Sequence, residues 1–230
     1  MLVVSSFNIK NDYFKYNKEK TNTIIDYLID NKIDILSLQE LYKRADKDLT
    51  RYLLILDYHI IKKYRFLSRL ILRPFNESTP IITNKKIISK KNYRLPFLPS
   101  FPKRIMTKIV IEYNNELISV YNTHLDNRNE NVQEKELKRI TKILEKDKNK
   151  IILTGDFNLK INKGIFISFM KRLSKLNIVR VEIDEKTLKQ SNYNRAIDHI
   201  FVSKDLKVID KKVIKDLEIS DHYPILIKIA

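Results

Sequence analysis

Short apolar runs alternate along this chain with segments whose apolar residues recur at about every third or fourth position, and that alternation restricts it to a mixed α/β fold. Leu2 to Asn8 reads as a buried strand, and Lys18 to Asn31 carries Ile24, Ile25, Leu28 and Ile29 at helical spacing. Ile33 to Gln39 is strand again, Ala45 to Leu56 is expected to be helical, and Tyr58 to Ile88 holds two or three short strands. Arg104 to Tyr113 and Leu117 to Thr123 predict a hairpin around Asn114-Asn115-Glu116. A charged helix is expected over Asn131 to Lys146, a short buried strand over Ile151 to Thr154 and an amphipathic helix over Ile165 to Leu176. Strands are expected again at Ile197 to Val202, Lys207 to Val213 and Pro224 to Ile229. No repeat, linker or low-complexity block interrupts this order, so one domain over residues 1–230 is expected.

One segment stands outside the pattern. Leu95-Pro96-Phe97-Leu98-Pro99-Ser100-Phe101-Pro102 carries three prolines, which exclude a helix or a central strand, and it reads as an exposed loop with apolar side chains.

Composition narrows the function classes. Hydrophobic residues make up 43%, enough to build a core. Cysteine is absent, which excludes a disulfide framework, Cys-ligated zinc and a thiol nucleophile. Lys+Arg 45 against Asp+Glu 28 leaves a net charge of +17, a surface suited to nucleic acid, anionic lipid head groups or phosphorylated small molecules. The apolar runs fall far short of the ~20 residues a bilayer span needs. Leu2-Val3-Val4 follows the initiator without a basic leader, so a cytoplasmic location is expected. No obligate protein partner is indicated.

The polar residues that interrupt the strands carry the chemistry. Asn8 ends the first strand, Glu40 follows Leu38-Gln39, and His124 ends another in Asn122-Thr123-His124-Leu125-Asp126. Asp156 and Asn158 follow a strand in Thr154-Gly155-Asp156-Phe157-Asn158, Asp198 opens one in Ile197-Asp198-His199-Ile200, and Asp221 and His222 precede the last. Taken singly, each is an ordinary turn, cap or rim residue. Together they are expected to converge on one sheet rim, and His124, His199 and His222 are three of the chain's 4 histidines. Gly155, one of only 2 glycines, sits where the backbone turns beside an acidic loop. The set suits phosphate ester hydrolysis. Glu40, Asn8 and Asp221 offer hard oxygen ligands for Mg²⁺, an Asp or His activates water, and His222 backed by Asp198 makes an oriented imidazole. Asn158 and His124 supply hydrogen bonds to a developing oxyanion.

Ser6-Phe7-Asn8-Ile9, Leu38-Gln39-Glu40, Thr123-His124-Leu125, Gly155-Asp156-Phe157-Asn158, Ile197-Asp198-His199-Ile200 and Ser220-Asp221-His222-Tyr223-Pro224 resemble, in order, the motifs of the endonuclease/exonuclease/phosphatase superfamily, the deoxyribonuclease-I-like fold. The resemblance implies a four-layered α/β sandwich, two packed mixed β-sheets flanked by helices. It implies Glu40 as main ligand of Mg²⁺ (Mn²⁺ as an alternative), with Asn8 beside it and Asp221 in support. It further implies Asp156 on the attacking water, Asn158 on the phosphoryl transition state, His124 on a phosphate oxygen or the leaving group, and Asp198 orienting His222.

Substrate is harder to read, because one fold serves many. Abasic-site endonucleases of the superfamily usually carry Tyr in place of His124 and a Trp-Arg pair before the Asp198 motif; Asn192-Tyr193-Asn194-Arg195 has no Trp, which disfavours that specificity. The charge of +17 favours a nuclease or DNA-end-processing phosphodiesterase, with Arg104, Arg128 and Lys160 gripping phosphates and Tyr93, Phe97 and Phe101 as stacking faces. The alternative is a phosphatase or a sphingomyelinase-like phospholipase C. That enzyme acts on a phosphorylated small molecule or lipid, with an inositol phosphate or anionic lipid as partner. Were the apolar loop to dip into a bilayer, the flanking Lys90, Lys91, Arg94, Lys103 and Arg104 would favour anionic lipid. The charge run Glu134 to Lys150 reads as a solvated helix face.

Overall fold

A strand buried at every residue needs cover on both of its faces, and β1 (Leu2–Asn8) is such a strand. In the computed structural model, which describes residues 1–10, 18–42, 46–63, 77–96, 104–189 and 196–230, β1 lies at the centre of one of two facing sheets. After it come α1 (Lys18–Asp30), β2 (Ile35–Gln39), β3 (Leu41–Tyr42), α2 (Asp46–Ile55), β4 (His59–Ile61), β5 (Glu77–Ser78) and β6 (Ile81–Thr83). The chain then runs through β7 (Ile87–Arg94), β8 (Ile105–Tyr113), β9 (Glu116–His124), α3 (Glu130–Leu144) and β10 (Lys150–Asp156). It ends with α4 (Gly164–Ser174), β11 (Ile178–Arg180), β12 (Asp198–Ser203), β13 (Val208–Val213) and β14 (Ile225–Ile229). The first sheet has the order β13-β14-β1-β2-β6-β4, the second β11-β12-β10-β9-β8-β7, and β3 pairs with β5 in a small third ribbon.

Among the described residues two pairings are parallel, β1 with β2 and β9 with β10, and α1 and α3 lie in their respective connections. A parallel pair needs such a crossover, so these two units are β-α-β motifs set into otherwise antiparallel sheets. Their registers align the functional ends: Asn8 lies opposite Gln39 in one sheet and Asp156 opposite His124 in the other. Carboxyl ends of parallel strands form a rim open to ligands.

Three apolar clusters define four layers. Between the sheets pack mainly β-branched residues, among them Val4, Ile35, Val120, Ile152, Ile200 and Ile227. Behind the second sheet, Leu137 and Ile140 of α3 and Phe166 and Phe169 of α4 bury against Leu153, Phe157 and Phe201. Behind the first sheet, Ile24 and Leu28 of α1 and Leu49 and Leu53 of α2 bury against Phe7, Leu36 and Leu38. Each buried Phe or Leu contributes roughly 1.5–3 kcal/mol. Asn129 caps α3, accepting hydrogen bonds from the backbone of Asn131 and Val132.

The architecture is the expected four-layered sandwich, with some elements longer or additional. β7 continues past Ile88 to Arg94, because all of that stretch pairs with β8 even though most of it faces solvent. The short β3, β5 and β11 have no periodicity of their own and exist by pairing with neighbours. The charged helix α3 is solvated on one face, where Lys138 pairs with Glu134, but Glu136 is fully buried and accepts a hydrogen bond from the backbone of Asp126. The proline-rich segment lies outside the described residues from Phe97 to Lys103, as does Asn192 to Arg195.

Candidate active site

The strand ends place four side chains at one rim. Asn8 Nδ2 donates to Glu40 Oε1 at 3.2 Å and to Asp156 Oδ2 at 2.9 Å, joining the first sheet to the second. Asp156 Oδ1 in turn accepts from the backbone N–H of Asn158 at 2.8 Å. Two of these residues have left-handed backbones, Glu40 with φ 60 and Asn158 with φ 52. Such positions cost energy in a non-glycine residue and cluster at functional sites.

Two imidazoles flank Asp156, each backed by a buried carboxylate. His222 Nδ1 donates to Asp198 Oδ2 at 2.8 Å, and its Nε2 lies 3.8 Å from Asp156 Oδ2. His124 Nδ1 lies 2.7 Å from Glu77 Oε1, and its Nε2 lies 3.6 Å from the same Asp156 oxygen and 3.9 Å from Glu40. The Asp198 acceptor on Nδ1 of His222 fixes the orientation of that ring and aims its Nε2 into the site. Arg104 Nη1 lies 2.8 Å from His124 Nδ1 and 3.4 Å from Glu77. Arg104 is almost wholly buried, so it stands behind His124 within the site.

Burial acts on these groups first, and neighbouring charge decides the direction. Burial alone lowers the pKa of His222, but the charge and hydrogen bond of Asp198, with Asp156 and Asp221, raise it to about 10. Burial pushes Asp198 above the usual carboxylate range, opposed by the charge of His222.

The expected residues fall at different distances from this centre. Asn8, Glu40, His124, Asp156, Asp198 and His222 come together as anticipated. Asp221 borders the group and pairs with Lys10 at 2.6 Å. Lys10 is tied back by its own N–H to Asn8 Oδ1. The Asn158 side chain donates to Leu125 O at 3.0 Å, which uses one of its two amide N–H bonds. Arg128 is exposed in the bend before α3, and its N–H donates to Asp126.

His199 departs from the sequence expectation. Successive residues of a strand face opposite sides, so Asp198 enters the site while His199 enters the helix-facing core. There its ring packs 4.6 Å from Phe166 and 5.7 Å from Phe157, donates to Leu159 O, and is driven by burial to a pKa of about 4. Sequence reasoning also missed Glu77. It sits on the two-residue β5, which pairing with β3 holds beside the site.

Gly155 permits the close approach of β10 to β9. A Cβ there would lie 2.2 Å from Thr123 O, and φ is 154. Only glycine fits without displacing the backbone that carries Asp156.

The donor set fits a hard divalent ion. Glu40 presents a carboxylate at the rim with the Asn8 amide beside it, and Asp221 Oδ1 is buried with no hydrogen-bond partner among the described residues. Asp156, Asp198 and His222 also offer ligand atoms within 4.8 Å of one another. That mixed nitrogen and oxygen set suits Mn²⁺ better than Mg²⁺, which prefers oxygen alone.

The Endonuclease/Exonuclease/phosphatase family matches residues 5–222. The chain belongs to this family. Its members are hydrolytic phosphoesterases, and so is this chain. Similar solved structures include a mannosyl-6-phosphatase from Bacteroides thetaiotaomicron VPI-5482, at 19% identity and TM-score 0.79 over 100% of both chains. The human Nocturnin catalytic domain with bound sulfate anion matches at 18% identity and TM-score 0.79, over 100% of this chain and 94% of that one. Humanized D. rerio TDP2 matches at 16% identity and TM-score 0.72, over 100% and 98%. At these identities the likeness is one of fold. No curated protein matches the chain. Among the described residues no helix is long and apolar enough to cross a membrane.

Proposed function

We propose that this hydrolase is a Mg²⁺-dependent phosphodiesterase acting on nucleic acid. The observation that carries the reading is the pair of carboxylate-backed imidazoles, with Nε2 atoms 3.6 and 3.8 Å from one Asp156 oxygen. Asp156 holds the attacking water. Its two oxygens are fixed by Asn8 and by the Asn158 backbone, so it approaches a phosphorus atom in one orientation. His124 and His222 donate from either side to phosphoryl or leaving-group oxygens. Asn158 adds its remaining amide hydrogen. Glu40 with Asp221 would hold a Mg²⁺ ion, Asn8 orienting Glu40 through its Nδ2–H, and the ion when bound would supply charge neutralisation at the phosphate. The net charge of +17 favours a polyanion over a compact monoester, with Arg128 as an exposed phosphate contact and Arg104 acting through His124. We place the enzyme in the cytoplasm.

A phosphate monoesterase or lipid phosphodiesterase is the second reading, favoured by the mannosyl-6-phosphatase among the similar structures. One panel separates them: plasmid, single- and double-stranded oligonucleotides and RNA against a sugar phosphate, inositol phosphates and sphingomyelin, each with Mg²⁺, Mn²⁺ or EDTA. Metal-dependent cleavage of nucleic acid that vanishes in Asp156→Ala supports the nuclease. Silence on every nucleic acid together with phosphate or phosphocholine release sinks it.

A further inference from the structure

The Asp198–His222 pair spans two sheets. Asp198 opens β12 in the second sheet, while His222 precedes β14 in the first. Their 2.8 Å contact therefore depends on how two separate layers are held, and a displacement near 1 Å is enough to spoil a catalytic geometry. Thr187, fully buried and outside every strand, contacts both sides. Its carbonyl accepts from the N–H of Tyr223, the residue after His222, at 2.7 Å. Its Oγ1 accepts from the N–H groups of Ile197 at 3.2 Å and Asp198 at 3.3 Å. Lys189 N–H donates to Asp221 O at 2.7 Å, and Leu188 bridges His222 in antiparallel fashion, so residues 187–189 lie strapped along 221–223.

A hydroxyl has two lone pairs and one hydrogen. The two backbone N–H groups occupy both lone pairs of Thr187. The hydroxyl also acts on the Asp198 carboxyl, lowering its pKa against the burial that raises it. From the other side, Ser220 Oγ donates to Asn8 O at 2.7 Å and accepts from His222 N–H, which ties the same loop to β1.

We propose that Thr187 is a positioning residue, a latch that sets the Asp198–His222 geometry by holding the start of β12 and the 221–223 segment through one hydroxyl and one carbonyl. The proposal rests on the reading of the site as a phosphoesterase centre. Thr187→Val keeps the shape and removes the acceptor; Thr187→Ser keeps the acceptor. On whichever substrate the wild-type chain cleaves, Thr187→Val lowers kcat by roughly 10- to 100-fold while KM stays within about twofold, and Thr187→Ser restores most of the rate. In a His222→Ala background the same Val substitution changes kcat by less than about twofold, because the pair it positions is gone.

A second readout needs no turnover. The Nδ1–H proton of His222, assigned by its absence in His222→Ala, is a downfield proton NMR signal. It broadens or disappears in Thr187→Val and returns in Thr187→Ser. Wild-type kcat with an unmoved resonance in Thr187→Val overturns the latch, as do equal losses in both backgrounds. If wild type cleaves nothing in the panel, the proposed substrates fail, and the resonance still decides the latch. Should Thr187→Val fail to fold, Thr187→Ala makes the same comparison with less bulk.

Discussion

The two site histidines have the same construction but differ in how visible it is in the sequence. His222 and Asp198 both sit in recognisable motifs, and their pairing was legible as a carboxylate-oriented imidazole. Glu77 was not legible. It lies 47 residues from His124, on a two-residue strand with no periodicity, and only pairing with β3 brings it into place. Replacing it tests whether it matters: Glu77→Gln keeps the volume but removes a charge-assisted acceptor, a loss of about 1.5–3 kcal/mol. The expected outcome is a kcat lower by roughly 10- to 100-fold at little change in KM, read by steady-state kinetics. His199 teaches the opposite lesson, because the two-residue period of a strand already separates it from Asp198. Its pKa falls on folding from 6.5 to about 4, so between these values the unfolded chain binds more protons. Stability from this residue is full above pH 6.5 and is lost as the pH falls toward 4, by on the order of 3 kcal/mol. His199→Phe, placed among Phe157, Phe166 and Phe201, is expected to flatten that part of the slope. Urea midpoints of both proteins at pH 4.5 and 7 give the answer; parallel slopes would refute it.

At the scale of elements, the two β-α-β units explain why the site was largely readable. β1, β2, β9 and β10 each end in a polar residue after a mostly buried stretch, and parallel pairing sends those ends to one rim. β11 and the β3–β5 ribbon escaped notice because three residues or fewer carry no period, and their existence depends on the register of longer neighbours. β10 approaches β9 closely at Gly155, where an added Cβ would meet Thr123 O at 2.2 Å. Gly155→Ala is therefore expected to cost about 3 kcal/mol or more from strain and backbone displacement. Because Asp156 is the next residue, activity should fall further than the unfolded fraction explains. Thermal unfolding and single-turnover rates on the same sample separate the two effects, and a variant with wild-type melting temperature and rate would contradict the argument.

For the whole molecule, the distribution of charge matters more than its sum. Acidic groups gather at the rim, where Glu40, Asp156, Asp198 and Asp221 surround the two imidazoles, while the excess of +17 lies elsewhere. One exposed stretch is the edge strand β7, with Lys90, Lys91 and Arg94 open to solvent and Tyr93 beside them. Lysines on an edge strand also discourage sheet-to-sheet association, so their presence alone does not identify a ligand. Salt dependence does. A duplex held by about three phosphate contacts binds roughly 40-fold more weakly at 200 mM than at 50 mM salt, since each contact releases condensed counterions. Neutralising Lys90, Lys91 and Arg94 together with Gln should lower that slope and leave hydrolysis of a small chromogenic phosphodiester unchanged, because none of the three contributes to the catalytic cluster. An unaltered slope would move the nucleic-acid path to another face. A substrate too small to reach β7 should show almost no salt dependence, and that contrast separates the polyanion from the chemistry at Asp156.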